Sequence, residues 1–300
     1  MTPCLSNLAS KIDGIAALQS DVSGEFVNVL KVCVVLAVLA YLLLLAVAFT
    51  TQRKLLYYPS HVYVPLSEAH ANSAFQEISV RTADGIDLKA WYAPATSKAL
   101  TIVFFHGNAD FLANAAQVAD PYIAAGYGFL VTEYRGYSGL SGSPTETGLH
   151  NDGRAYMNAL AARGVDSRHI ILYGHSLGTG VASQLALEFK VAGLMLLSPY
   201  LSIPALAHIH FPFLPSRLIA RDRFENEKKI RNIHVPVLIA NGTADEVIPP
   251  SQGQELFSLA NEPKEFHSLP GRGHNNSFDD FARLSIDWIS RICDMDGQCR

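Results

Sequence analysis

The chain has 300 residues, of which 49% are hydrophobic and 17% charged, with 21 glycines and 15 prolines. That composition describes an ordered, core-forming chain and excludes disordered, collagen-like and low-complexity classes. The formal charge of −4, with Lys and Arg clustered no further than pairs such as Arg53-Lys54 and Lys228-Lys229, excludes a nucleic-acid partner.

Mean hydropathy is +0.16, high for a soluble chain, and the excess sits near the N-terminus. Val32 to Thr50 is a run of nineteen residues without a charge. As a helix it spans about 28 Å, against a bilayer hydrocarbon core of roughly 30 Å. A single-pass transmembrane helix is expected over residues 31–51, with the lipid bilayer as partner, preceded by a tail of residues 1–30. A cleaved secretory signal is the alternative, and Ala46-Val47-Ala48 offers it a small-residue cleavage pattern. The stretch ahead of the apolar run is far longer than a usual n-region, which favours the anchor. Lys31 on one side against Arg53 and Lys54 on the other tilts the orientation toward a cytoplasmic C-terminal domain, the opposite orientation staying open. Within the tail, Leu5, Leu8, Ile12 and Ile15 have helical spacing, but Gly14 and Gly24 interrupt it, so a partly ordered segment is expected. Cys4, Cys33, Cys293 and Cys299 have no metal-ligand spacing; the last two read as free thiols of a C-terminal tail over 293–300, a small disulfide loop being the alternative.

Beyond Pro59 short apolar strands alternate with helix-period stretches. Phe75–Val80 and Leu88–Tyr92 read as an antiparallel pair around Asp84-Gly85. Continuous apolar runs, the mark of strands buried on both faces, follow at Thr101–Phe105, Gly128–Thr132, Ile170–Tyr173, Leu194–Leu197, Val235–Ala240 and, more weakly, Glu265–Leu269. Helices are expected at Asn114–Ala125, Thr147–Arg163, Leu177–Leu187, Ser251–Leu259 and Asn276–Ile289. This alternation predicts an α/β architecture with a mostly parallel eight-stranded sheet flanked by helices, over residues 52–292. Residues 201–235 hold no strand and are rich in aromatics, prolines and histidines, which suggests an inserted lid.

The chemistry concentrates at the strand ends. After Ile170–Tyr173 stands Gly174-His175-Ser176-Leu177-Gly178, with a helix directly behind it. Glycines around a serine between strand and helix build a strained turn that lifts the hydroxyl above the sheet. A serine hydroxyl needs a base to take its proton, and the base needs an acid to hold its tautomer. In this arrangement acid and histidine follow the serine on later strand-end loops. Asp245, in Asn241-Gly242-Thr243-Ala244-Asp245, and His274, in Pro270-Gly271-Arg272-Gly273-His274, occupy those places. Glu246 competes for the acid, and Asp222 comes too early, inside the lid. An oxyanion hole needs two backbone N–H groups: Leu177 supplies the one after the nucleophile, and Asn108, in His106-Gly107-Asn108-Ala109, the other. Since Asn108 contributes a main-chain group, its side chain is expected to be replaceable. Glu133, Tyr134 and Arg135 read as a buried network under the site. His106 and His175 read as orienting their own loops, and His208 and His210 as lid surface.

The stretch Gln52-Arg53-Lys54-Leu55-Leu56-Tyr57-Tyr58-Pro59, with FFHGNA, EYRGYSGLSGSPTE, YGHSLGTGVA, LLSPYLS, NGTADEVIP and GRGH, resembles membrane-anchored α/β-hydrolase-domain proteins, serine-aminopeptidase-like hydrolases and palmitoyl-protein thioesterases among them. The resemblance runs from Gln52 to Ile289. It departs at Asp110 and Ser138, where glycine is more usual, and the N-terminal cysteine cluster of the thioesterases is absent. It implies a serine hydrolase acting on esters or thioesters of small-molecule or acylated substrates, without metal or organic cofactor. A serine aminopeptidase, with Asp222, Glu225 and Glu227 of the lid binding the amine, is the second expectation. A non-catalytic ligand-binding protein on the same fold is the third.

Overall fold

The computed structural model describes the backbone of residues 3–296, apart from 70 and 98, and side chains within residues 26–293. The chain divides into two compact units, Met1–Thr51 and Gln52–Arg300. The first belongs to helix α1 (Pro3–Leu56), which runs through Gly14 and Gly24 rather than forming the partly ordered tail expected there. Its segment Phe26–Leu56 contains an 18-residue window of mean hydropathy 3.1 and is long and apolar enough to cross a membrane. Cys33 in this helix is exposed and free.

The second unit is built on eight strands: β1 (Gln76–Arg81), β2 (Asp87–Ala93), β3 (Thr101–Phe105), β4 (Gly128–Thr132), β5 (Ile170–His175), β6 (Gly193–Leu197), β7 (Val237–Gly242) and β8 (Lys264–Leu269). They form one sheet in the order β1-β2-β4-β3-β5-β6-β7-β8. β1 and β2 pair antiparallel, as do β2 and β4, and every other neighbouring pair is parallel. β7 starts at Val237, two residues later than expected; Pro236 has no N–H to give the ladder.

Strands β3 to β7 are buried on both faces, and alternate residues feed two cores. Val103, Phe105, Leu172, Leu196 and Ile239 pack with helices α4 (Glu146–Ala161), α5 (Leu177–Glu188) and α9 (Pro250–Leu259). Phe104, Phe129, Tyr173, Met195 and Leu238 pack with α3 (Asp120–Ala124) and α10 (Phe278–Asp296) on the other face. At about 1.5–3 kcal/mol for each large apolar side chain withdrawn from water, these two layers are the main force holding the sheet. α4 starts where its pattern says it should: the Thr145 hydroxyl accepts from the Gly148 N–H at 2.9 Å, and Glu146 sits in the first turn.

Two further expectations change. The helix expected over Asn114–Ala125 is broken into α2 (Leu112–Ala115), a 3-10 turn at Ala116–Ala119 and α3. Pro121, at the start of α3, lacks the N–H a continuous ladder would use. The strand-free interval over 201–235 carries its own order: α6 (Ile203–His210), α7 (Ser216–Ile219) and α8 (Asn226–Lys229). Finally, Cys293 is disulfide-bonded, not a free thiol; Cys299 lies outside the described residues.

In the parallel sheet the β3, β5, β6, β7 and β8 registers bring Phe105 level with Gly174, His175 with Leu197, Leu197 with Ala240, and Gly242 with Leu269. The loops after five strands therefore open on one edge, the carboxyl edge where α/β sheets place their sites.

Candidate active site

Ser176 lies between β5 and α5 with φ 50° and ψ −118°, a left-handed conformation that costs a non-glycine residue energy and persists only when its surroundings enforce it. The flanking glycines show the enforcement. A Cβ on Gly174 would sit 2.6 Å from the Gly178 carbonyl oxygen, and one on Gly178 would sit 1.9 Å from the Phe105 carbonyl oxygen. The turn is thus threaded between α5 and the end of β3, with no room for a side chain on either side of the serine. The Ser176 N–H donates to the Leu197 carbonyl at 3.0 Å, pinning the turn to β6.

His274 follows β8 on a loop closed by side chains: the Asn276 carboxamide oxygen accepts from the Gly273 N–H at 2.7 Å, and the Ser277 hydroxyl donates to the Gly273 carbonyl at 2.8 Å. His274 Nε2 stands 3.0 Å from Ser176 Oγ, and its Nδ1 stands 2.9 Å from Asp245 Oδ2. Asp245 is buried and fully engaged. Its Oδ2 also accepts from the Ser198 hydroxyl at 2.8 Å, and its Oδ1 accepts from the Val247 and Ile248 N–H groups at 3.0 and 2.8 Å. Burial opposes its ionisation. The hydrogen bonds from His274, Ile248 and Ser198 and the charge of His274 outweigh burial, and its pKa lies below the ordinary carboxylate value. Glu246 is exposed to solvent, and Asp222 is committed to Arg53.

The loop after β3 rests on a buried ion network. His106 Nε2 meets Glu133 Oε1 at 2.9 Å with both side chains wholly buried. Glu133 Oε2 accepts from the Leu112 N–H at 2.9 Å and from the Ser138 hydroxyl, so one carboxylate fixes both ends of the 106–112 loop. Tyr134 closes the network with a 3.0 Å hydrogen bond from its hydroxyl to the His106 carbonyl. Arg135 is held apart from it, by Asp152 and Asp84. Between the fixed ends, Gly107 lets the loop approach the elbow: a Cβ there would lie 2.9 Å from His175 Nδ1. Ala109 has φ 58°, a left-handed turn in the loop directly after Asn108. Among the described residues neither the Asn108 nor the Leu177 N–H is a donor in the turn, loop or side-chain hydrogen bonds.

Sequence reasoning missed Ser198, and it read His175 as orienting its own loop, whereas the ring reaches the His274 loop. Ser198 ends β6 with φ 51° and hands its hydroxyl to Asp245; its own N–H donates to the Ala240 carbonyl at 2.8 Å. His175 lies under His274, ring centroids 5.0 Å apart, and its Nε2 meets the His274 carbonyl at 3.2 Å. In the lid, His208 and His210 are exposed, and His210 Nε2 reaches the Val247 carbonyl at 3.0 Å, linking α6 to the acid loop. Among the described residues no group of three or more His, Cys, Asp and Glu could hold a metal.

A family model described as serine aminopeptidase, S33, matches residues 96–221. An uncharacterized protein of Mycobacterium tuberculosis is 35% identical over 271 residues, covering 88% of this chain and 96% of that protein. Alpha/beta hydrolase domain-containing protein 17B of Homo sapiens is 35% identical over 209 residues, covering 68% of this chain and 70% of that protein. Among solved structures, an esterase of Pyrococcus furiosus superposes with a TM-score of 0.63 at 17% identity, covering 80% of this chain and 97% of that one. That likeness speaks to the fold. A hydrolase-type sheet, a strained serine elbow and relatives of near-full coverage lead to one statement: the chain belongs to the serine-aminopeptidase-like α/β-hydrolase-domain family of hydrolases.

Proposed function

We propose that the protein is a serine hydrolase that cleaves carboxylic esters or thioesters of acyl-chain substrates, held at a bilayer by the uncharged run 32–50 within Phe26–Leu56. The observation that carries this reading is the hydrogen-bonded line from Ser176 Oγ through His274 to Asp245, at 3.0 and 2.9 Å. In the reading, Ser176 Oγ attacks the acyl carbonyl while His274 Nε2 takes its proton. Asp245 holds the Nδ1–H tautomer and stabilises the imidazolium. The Asn108 and Leu177 amides stabilise the tetrahedral oxyanion. His274 passes the proton to the leaving alkoxide or thiolate as the C–O or C–S bond breaks. Water, giving a proton to His274, then attacks the acyl-enzyme; the carboxylic acid leaves and the serine hydroxyl is restored.

The acyl chain is favoured by the lid, where Ile209, Phe211, Phe213 and Leu218 are exposed. Substrate-amine binding would draw on the lid carboxylates, and these are engaged. Asp222 pairs with Arg53, Glu225 with Arg223 and Lys228, and Glu227 accepts from Ser202. Membrane attachment rests on the length and apolarity of Phe26–Leu56. The test is hydrolysis of p-nitrophenyl butyrate and of a palmitoyl thioester by the purified full-length protein, beside an amino-acid p-nitroanilide. Turnover of the ester or thioester, lost in Ser176→Ala, is expected; hydrolysis of the anilide alone would replace this reading with an aminopeptidase.

A further inference from the structure

The side chain of Asn108 makes three hydrogen bonds. Its Nδ2 donates to the Leu56 carbonyl at 2.5 Å; its Oδ1 accepts from the Tyr58 N–H at 2.9 Å and from the Tyr137 hydroxyl at 2.8 Å. A carboxamide is the group that can do both, offering donor and acceptor from one plane. Two of the three partners are main-chain groups at the end of α1 and just beyond it, 52 and 50 residues upstream.

That segment is itself fastened. Tyr57 is buried in the core that contains Leu177, Tyr137 and Tyr200. Arg53 makes a two-pronged pair with the buried Asp222 at 2.7 and 3.0 Å, and the Gln52 carboxamide donates to the Ile219 carbonyl and accepts from the Arg221 N–H. Residues 52–58 therefore form a strap joined to the lid at one end and to the 106–109 loop at the other. The loop needs it. His106 and Leu112 are tied to Glu133, but Gly107 has no side chain and Ala109 is exposed with φ 58°. Of residues 107–109, Asn108 alone has side-chain hydrogen bonds.

We propose that the strap Gln52–Tyr58 is a positioning element for the oxyanion hole, acting through the Asn108 carboxamide, which aims that residue's own N–H at the developing oxyanion. The inference rests on the serine-hydrolase reading and adds to it a determinant outside the triad. It runs against the expectation that the side chain at position 108 is replaceable. A donor displaced from the oxyanion weakens transition-state binding while leaving ground-state binding nearly intact, so the effect belongs in kcat.

The test is a double-variant cycle on the full-length protein in detergent, with p-nitrophenyl butyrate as substrate and an alkyl trifluoromethyl ketone as tetrahedral-intermediate analogue. Asn108→Ala removes the carboxamide and Tyr58→Pro removes the strap N–H that it accepts. Removing an oxyanion donor outright lowers kcat by about 10²–10³, so misaiming one is expected to cost about 10- to 100-fold. KM should stay within about twofold, and the ketone's inhibition constant should rise in the same proportion as kcat falls. The double variant should be little slower than the slower single one, since both break one connection. Should Tyr58→Pro fail to fold by circular dichroism, Arg53→Ala takes its place. It should slow the wild-type background several-fold and have no effect in Asn108→Ala. A kcat in Asn108→Ala within twofold of wild type, or effects that multiply in the double variant, would overturn the proposal. Wild-type protein without Ser176-dependent turnover would instead remove the serine-hydrolase reading beneath it, a result seen before any strap variant is assayed.

Discussion

His175 ties the stability of the fold to pH in a way that can be worked out from its surroundings. Its ring is buried between His274 and Phe278, with centroids 5.0 and 4.7 Å away. Nε2 donates to the His274 carbonyl, the acceptor that sets the tautomer, and Nδ1 has no partner among the described residues. A second proton would therefore enter an unpartnered, desolvated position. Burial, followed by the charge of neighbouring His274, brings the His175 pKa down from 6.5 to about 3. The folded state binds this proton less readily than the unfolded chain, so its full contribution is present above pH 6.5 and is lost as the pH falls toward 3. Between pH 7.5 and 5.0 the loss is about 2 kcal/mol. His150, buried and also lowered to about 3, adds a similar slope, whereas Asp152, raised by burial to about 6, opposes it by about 1 kcal/mol. His175→Phe keeps a ring in place and isolates the effect. Urea unfolding of wild type and variant at both pH values, followed by tryptophan fluorescence, is the assay. The stability advantage of wild type over the variant should shrink by about 2 kcal/mol on going from pH 7.5 to 5.0. An advantage unchanged between the two pH values would refute the reasoning, because it would mean that His175 takes up no proton on unfolding.

Asp245→Asn should lower kcat by about 10⁴ with little change in KM, by presenting His274 in the wrong tautomer; Glu246→Gln, at an exposed carboxylate, should stay within about twofold. Steady-state kinetics of both variants decide it, and a crippling Glu246→Gln beside a mild Asp245→Asn would reverse the assignment. Gly178→Ala places its Cβ 1.9 Å from the Phe105 carbonyl oxygen, a main-chain atom of a central strand, so the elbow must distort. A loss of 3 kcal/mol or more is expected, on the order of other severe steric substitutions, read as poor soluble yield or a collapsed urea midpoint. The full-length protein should resist extraction from membranes by high salt and by carbonate and yield to detergent, because the uncharged run 32–50 buries apolar area rather than charge.

The sheet was legible because strands buried on both faces leave continuous apolar runs, as in Thr101–Phe105 and Ile170–Tyr173, with helix-period segments between them. Ser176, Asp245 and His274 could be picked out because the turn chemistry around each is local: glycines crowd the elbow, and each later loop follows a strand directly. What stayed hidden depends on pairings over long separations. Ser198 reaches Asp245 only because β6 and β7 align Leu197 with Ala240. Arg53 meets Asp222 across 169 residues, and Asn108 meets Tyr58 across 50; no periodicity records such contacts. The break at Pro121 is of another kind, since a proline's missing N–H is written in the sequence itself. Cys293 was misread because spacing near a chain end does not say whether a thiol is paired.

The central claim is that Ser176 is a nucleophile activated by His274. Purified full-length protein, Ser176→Ala and His274→Ala should each be incubated with a fluorophosphonate probe, and the adduct located by peptide mass spectrometry. The account predicts stoichiometric labelling of wild type on Ser176, none in Ser176→Ala, and labelling slowed by at least about 10³ in His274→Ala, where no base takes the hydroxyl proton. Labelling at another residue, or at an undiminished rate without His274, would contradict it.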